Sequence, residues 1–186
     1  MSLRIAGVLA ACGMALQPDA PLELGRVERD LTGDGRPEIL RVVGTRRSAD
    51  RMDAVFTIES GGALVYRTEL RPLTPQAFDA GPPLTHDEYE ITLRQFGGWF
   101  FDARKFQTPE AFLEALHDSV PLHVARIPVV IAGNRPEHEH RDGAAIWAEI
   151  RASPVTIFTF SPGGDALTAI GWSARAGRFY SLLECC

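Results

Sequence analysis

Residues 155–183, with the sequence VTIFTFSPGGDALTAIGWSARAGRFYSLL, decide the fold class of this chain. They contain three β-rich runs, at 155–160, 167–173 and 178–183, and short glycine-containing segments separate the runs. Turns of this kind join neighbouring antiparallel strands. We therefore expect a three-stranded antiparallel meander at the C-terminal end of the domain.

The sequence upstream of the meander predicts further strands and two helices. The expected strands share a high content of apolar and β-branched residues and lie at 39–43, 54–59, 63–70 and 122–131, with a hairpin turn at Gly61-Gly62. One helix begins at Thr108-Pro109-Glu110, and Asp142 caps a second helix that carries Ile146, Trp147 and Ile150 on one side. Together these elements predict one α+β domain over residues 23–186, with an antiparallel sheet and about two helices packed on one face.

The segment 89–106 contains two competing signals. Thr85-x-x-Glu88 has the form of a helix capping box. However, Tyr89, Ile91 and Leu93 alternate with polar residues, which is the period of a strand. The aromatic and β-branched content favours the strand, so we predict a hairpin that turns at Gly97-Gly98 and returns to Phe106.

The composition indicates a folded domain with no nucleic-acid partner. The chain has 186 residues, 45% of them hydrophobic, and a formal net charge of −5. This length and apolar content suffice for one packed core. Binding to DNA or RNA regardless of sequence needs clustered lysine and arginine, which a mildly acidic chain does not favour.

The first twelve residues have the layout of a secretory signal, because Arg4 precedes a short apolar run at 5–11 that Cys12 follows directly. Leu9-Ala10-Ala11-Cys12 resembles the lipobox of bacterial lipoproteins. That resemblance implies a signal peptide over residues 1–11 and lipidation of Cys12, followed by a tether through residue 22. Two alternatives stay open: cleavage after Ala15, or a first strand or helix of a cytosolic domain.

The remaining cysteines are Cys185 and Cys186 at the C-terminal end of the sequence. In an oxidising compartment, adjacent cysteines form a strained disulfide with each other or pair with another molecule. We treat Cys185 and Cys186 as a possible disulfide.

The strongest motif in the chain is Asp30-x-Thr32-x-Asp34-Gly35-Arg36-Pro37-Glu38. It resembles the calcium loop of FG-GAP and VCBS repeats over residues 28–45. The resemblance implies that Asp30, Asp34 and Glu38 bind Ca²⁺ through carboxylates, Thr32 through its hydroxyl or carbonyl, and Arg36 through its carbonyl. Thr32 and Glu38 depart from the repeat pattern. The alternative is a turn without an ion, in which side chains accept hydrogen bonds from nearby amides.

Other candidate sites are weaker. His138 and His140 would share one face of an extended segment and are an alternative metal site for zinc, against the simpler interpretation of a solvated polar loop. Gly171-Trp172-Ser173-Ala174-Arg175 lacks the second glycine of a nucleophile elbow.

The sequence therefore predicts an exported lipoprotein of the bacterial cell envelope that acts as a binding or accessory protein. Its expected partners are the membrane, through the lipid anchor, and an envelope protein. The alternatives are a secreted metal-assisted hydrolase that uses His138 and His140, or a periplasmic inhibitor of a cell-wall enzyme that uses the polar loop at 132–141.

Overall fold

The computed structural model of the protein describes residues 20–77, 83–119, 143–164 and 166–185. Within these ranges, eight β-strands form two four-stranded antiparallel sheets, and three α-helices pack against them. The predicted α+β class is confirmed. The sequence indicated one sheet with two helices, whereas the described residues contain two sheets and three helices.

The first sheet is a meander of four consecutive strands in the spatial order β1-β2-β3-β4. They are β1 (Leu22–Arg29), β2 (Glu38–Ser48), β3 (Arg51–Ser60) and β4 (Ala63–Glu69). Strand β1 begins at Leu22, the last residue of the predicted tether. The hairpin turn predicted at Gly61-Gly62 is confirmed, and both glycines have positive φ values, 56° and 83°.

Alternation along β2 and β3 makes one face of the first sheet apolar. The buried side chains of these strands are at every second position and include Leu40, Val42, Ala54, Phe56 and Ile58. A period of two places all of them on the same face of the sheet. That face therefore supplies one wall of the core.

The second sheet contains the predicted C-terminal meander, which is confirmed. It has the order β5-β6-β7-β8, with the short β5 (Phe106–Gln107) beside β6 (Ile157–Gly163), β7 (Ala166–Ser173) and β8 (Arg178–Cys185). The alternating apolar residues and the glycine turns were local signals. They were therefore sufficient to predict these strands to within a few residues.

The predicted hairpin over 89–106 is wrong, because residues 86–100 form helix α1 (His86–Phe100). The capping box decides the start of the helix: the Glu88 backbone N–H donates to Thr85 Oγ1 at 3.4 Å, and the Thr85 N–H donates to Glu88 Oε2 at 2.8 Å. The buried residues of α1 are Tyr89, Leu93, Phe96 and Phe100, which follow helical spacing. This spacing outweighs the period-two pattern.

The predicted turn at Gly97-Gly98 is also wrong, since both glycines lie inside α1. A Cβ atom on Gly97 would lie 2.5 Å from the Leu24 carbonyl oxygen and 2.6 Å from the Cα of Gly25. Only glycine permits this close approach of α1 to β1. Of the predicted return strand, Phe106 alone lies in a strand, β5.

The other two predicted helix regions agree with the structure. Helix α2 (Pro109–Ser119) begins directly after Thr108, whose Oγ1 accepts a hydrogen bond from the Ala111 N–H at 3.2 Å. Helix α3 (Gly143–Arg151) buries Ile146 and Ile150, as expected. Asp142 and the predicted strand at 122–131 lie outside the described residues.

The core joins the two sheets through aromatic contacts centred on Phe56. Its ring centroid lies 5.5 Å from that of Phe100 on α1, and 5.5 Å and 5.1 Å from those of Phe158 and Phe160 on β6. Aromatic pairs at these separations add to the free energy gained by burial. The first sheet, α1 and the second sheet therefore share one hydrophobic cluster.

Candidate functional site

The motif at residues 30–38 forms the turn between β1 and β2, and we call this segment the 30–38 turn. Asp30 lies inside it: Oδ1 accepts from the Gly33 N–H at 2.7 Å, and Oδ2 accepts from the Gly35 N–H at 2.8 Å. Both glycines have positive φ values, 74° and 83°, which glycine adopts readily. The Asp30 carboxylate therefore holds the backbone of the turn in place.

Asp34 and Arg36 lie on the exposed side of the turn. Asp34 Oδ1 accepts a hydrogen bond from the Arg36 N–H at 2.8 Å. This is the local bond of an aspartate that stabilises its own turn. The Asp34 carboxylate therefore stabilises the backbone of the turn at Arg36.

Glu38 faces the opposite way and is fully buried, with 0% of its surface exposed. Its Oε2 accepts from the Leu31 N–H at 2.7 Å, and its Oε1 accepts from the hydroxyls of Thr32 and Ser60 at 3.3 Å and 3.1 Å. A buried carboxylate is tolerated only when donors compensate for its lost hydration. Three donors perform that role here.

These side chains fit a hydrogen-bonded turn better than a calcium site. Calcium is bound by six to eight oxygens at about 2.3–2.6 Å around one centre. Here Glu38 turns into the core, whereas Asp34 turns towards its own backbone. Across the part of the chain that the structure describes, no three His, Cys, Asp or Glu side chains are placed to hold one metal ion. Calcium binding at this turn stays a prediction.

The 30–38 turn also bonds to a segment far away in the sequence. Thr156 lies between α3 and β6, and its Oγ1 donates to the Asp30 carbonyl oxygen at 3.0 Å across a separation of 126 residues. The Thr156 N–H donates to the Leu31 carbonyl oxygen at 3.2 Å. A Cβ atom on Gly33 would lie 2.8 Å from the backbone of Pro154. Sequence reasoning missed these contacts because no local pattern indicates them.

A second carboxylate, Glu149 on α3, stabilises the turn between β7 and β8. Its Oε2 accepts from the Ser173 hydroxyl and its Oε1 from the Arg175 N–H, both at 2.8 Å. Ser173 is buried, and its Oγ accepts from the Ala176 N–H at 3.2 Å. Among the described residues this network contains no histidine, and its hydrogen bonds stabilise the turn.

An open depression of about 590 Å³ lies beside the β2–β3 turn, and Ser48, Asp50, His86 and Tyr89 contribute to its lining. The Ser48 hydroxyl donates to Asp50 Oδ1 at 2.6 Å, which lowers the pKa of the Asp50 carboxyl. The Tyr89 hydroxyl donates to the Leu73 carbonyl oxygen at 2.8 Å, and burial raises the pKa of this phenol. Ser48, Asp50 and Tyr89 are therefore already engaged in local structure.

The aromatic run Trp99-Phe100-Phe101 lies at the C-terminal end of α1. Phe100 and Phe101 are buried, whereas Trp99 keeps 42% of its surface exposed and has its ring centroid 4.7 Å from that of Phe96. Core packing therefore accounts for two of the three side chains.

Several predicted site residues lie outside the described residues: Cys12, His138, His140 and Cys186. Cys185 is the last residue of β8 and pairs with Leu167 in the sheet register. Among the described helices, none combines the length and the hydrophobicity needed to cross a bilayer.

Comparison with known proteins gives no further assignment, because no family model, curated protein or solved structure matches this chain.

Proposed function

We propose that this chain is an exported lipoprotein of the bacterial cell envelope, anchored through Cys12, whose domain acts as a binding or accessory protein. One observation carries the proposal: Arg4 precedes an apolar run whose last residues, Leu9-Ala10-Ala11, are followed directly by Cys12. A positive residue, an apolar run and small residues before the cleavage point are the parts of an export signal.

Acylation of Cys12 would supply the membrane affinity. Each methylene that an acyl chain buries in the bilayer contributes about 0.8 kcal/mol, and more than one chain is needed for stable anchoring. The cysteine of a lipobox provides a defined attachment point for such chains. On this proposal the membrane contact belongs to the lipid.

The position of the first described strand supports this arrangement. Strand β1 begins at Leu22, ten positions after Cys12. Ten extended residues span at most about 35 Å. The intervening chain is therefore long enough for the domain to stand clear of the lipid headgroups.

Within the described residues, the two best-defined carboxylate clusters stabilise turns, which is consistent with the proposed binding role. Glu38 and Glu149 accept hydrogen bonds from the chain's own amides and hydroxyls. Carboxylates engaged in this way hold the backbone of their turns in place. On this proposal the domain binds an envelope partner and its turns keep the fold rigid.

The anchor is tested by palmitate labelling of the full chain in a bacterial host. We expect label in the parent chain and in the double variant Cys185→Ala/Cys186→Ala, and none in Cys12→Ala. The double variant controls for acylation of other thiols. Equal incorporation into Cys12→Ala, or a parent chain that keeps Met1 and remains in the cytosol, would overturn the proposal.

The binding role is tested by cross-linking the anchored parent chain in intact cells. A discrete adduct of defined mass is expected, and it should weaken in Cys12→Ala because the anchor keeps the domain beside its partner. Complete absence of any adduct from the anchored chain would contradict the accessory role while leaving the labelling result intact.

A further inference from the structure

We infer that the 30–38 turn is held by the chain's own hydrogen bonds without a metal ion, and that it joins the first sheet to the segment leading into the second sheet. In this inference the carboxylates of a calcium-like motif accept hydrogen bonds from the chain itself. The inference concerns the stability of the domain and is independent of the anchor proposed above.

The Glu38 carboxylate faces donors of the chain itself. Three donors, the Leu31 N–H and the hydroxyls of Thr32 and Ser60, point their protons at its two oxygens. The positive ends of these groups already face both carboxylate oxygens of Glu38. If Glu38 turned outward to bind a cation, the N–H of the fully buried Leu31 would lose its acceptor.

The second step is that the other two carboxylates are also engaged by backbone amides. Asp30 accepts from the N–H groups of Gly33 and Gly35, and Asp34 accepts from that of Arg36. Backbone N–H groups that point at a carboxylate supply fixed positive charge without an ion. The amides therefore provide the electrostatic stabilisation that calcium supplies in the repeats this motif resembles.

The ordered turn contacts the segment between α3 and β6. With Asp30 and Glu38 fixed, the carbonyl oxygens of Asp30 and Leu31 both face Thr156, which donates to each of them. Gly33 packs on Pro154 so closely that a Cβ atom would lie 2.8 Å from its carbonyl group. The turn thereby joins β1 and β2 of the first sheet to the residues that enter β6.

Calcium dependence is tested by thermal unfolding of the full chain in a chelator and in millimolar calcium chloride, with magnesium chloride as the ion control. For each protein, the parent chain and Asp34→Ala, we expect a melting temperature that does not differ between the three conditions. A ligand that binds only the folded state raises the melting temperature. A calcium-specific rise in the parent that Asp34→Ala loses would overturn the inference.

The connection to the second sheet is tested separately by Thr156→Val, which keeps the volume and removes the hydroxyl. We expect the melting temperature to fall by about 3 °C, since one neutral hydrogen bond is lost from a domain of this size. Thr159→Val is the matched control, because Thr159 Oγ1 is buried without a hydrogen-bond partner in the described structure. The melting temperature of Thr159→Val should equal or exceed that of the parent chain. Equal losses in the two variants would contradict the connection.

Discussion

Glu38 and Glu149 each use a carboxylate to hold a turn, but at very different depths. Glu38 is fully buried and accepts from three groups, and its turn bonds to a segment 126 residues away. Glu149 is half-buried and stabilises a turn between two neighbouring strands, with partners 24 and 26 residues away. Only one of the two belongs to a metal-like motif. The difference indicates that burial and long-range contacts determine how much a carboxylate stabilises the fold, whether or not it belongs to a metal-like motif.

The largest effect is expected for Glu38→Leu, which removes the acceptor for the buried Leu31 N–H. We expect the free energy of unfolding to fall by about 3 kcal/mol, the cost of an unsatisfied buried donor together with the lost bonds. Glu38→Gln keeps an acceptor for that N–H and an amide that can bond the hydroxyls, so its loss should be about 1 kcal/mol. Denaturant unfolding measures both. Similar losses in the two variants would show that hydrogen bonding at Glu38 is unimportant.

The next effect is expected at Gly33, where a positive φ coincides with close packing. Gly33→Ala should lower the free energy of unfolding by about 2 kcal/mol, because backbone strain adds to the clash with Pro154. Gly35→Ala has similar strain but meets nothing within 4 Å, so we expect about 1 kcal/mol. Urea titrations of the pair isolate the contact with Pro154. A larger loss in Gly35→Ala would refute that contact.

A smaller change in the free energy of unfolding is expected for Glu149, the half-buried carboxylate. Glu149→Ala removes bonds to the Ser173 hydroxyl and the Arg175 N–H, and it should cost about 1.5 kcal/mol, because water replaces part of what is lost at this half-buried position. The same unfolding assay applies. A loss greater than that of Glu38→Leu would reverse the ranking by burial.

The smallest effect is expected for Asp34→Ala on the exposed side of the 30–38 turn. Only the local bond to the Arg36 N–H is lost, so the free energy of unfolding should change by about 0.5 kcal/mol or less. Chemical denaturation in the presence of a chelator is the appropriate measurement. A loss of several kcal/mol would mean that Asp34 has a partner that the hydrogen bonds above do not include.

Local signals explain what could be predicted from the sequence. The meander of β6, β7 and β8 followed from apolar runs and glycine turns, and α2 followed from Thr108-Pro109-Glu110. Helix α1 was missed because a period-two pattern coincided with helical spacing at Tyr89 and Leu93. The role of Gly97 depends on its contact with Gly25, which lies far away in the sequence. Such contacts exist only once the chain has folded.

The candidate site shows the same division between local and distant information. The residues of the 30–38 turn, and the alternative of an ion-free turn, were visible in the sequence. The bonds from Thr156 to Asp30 and Leu31, and from Ser60 to Glu38, join segments that have no common pattern. The sequence also does not indicate that Glu38 faces the core, because its strand was expected to begin at residue 39.

Amide hydrogen exchange of the Leu31 N–H tests the metal-free turn most directly, since this donor bonds Glu38 Oε2 in a fully buried position. We predict slow exchange in a chelator, at a rate that added calcium does not change, because the carboxylate alone protects the amide. Fast exchange in the chelator that becomes slow only when calcium is added would contradict the account.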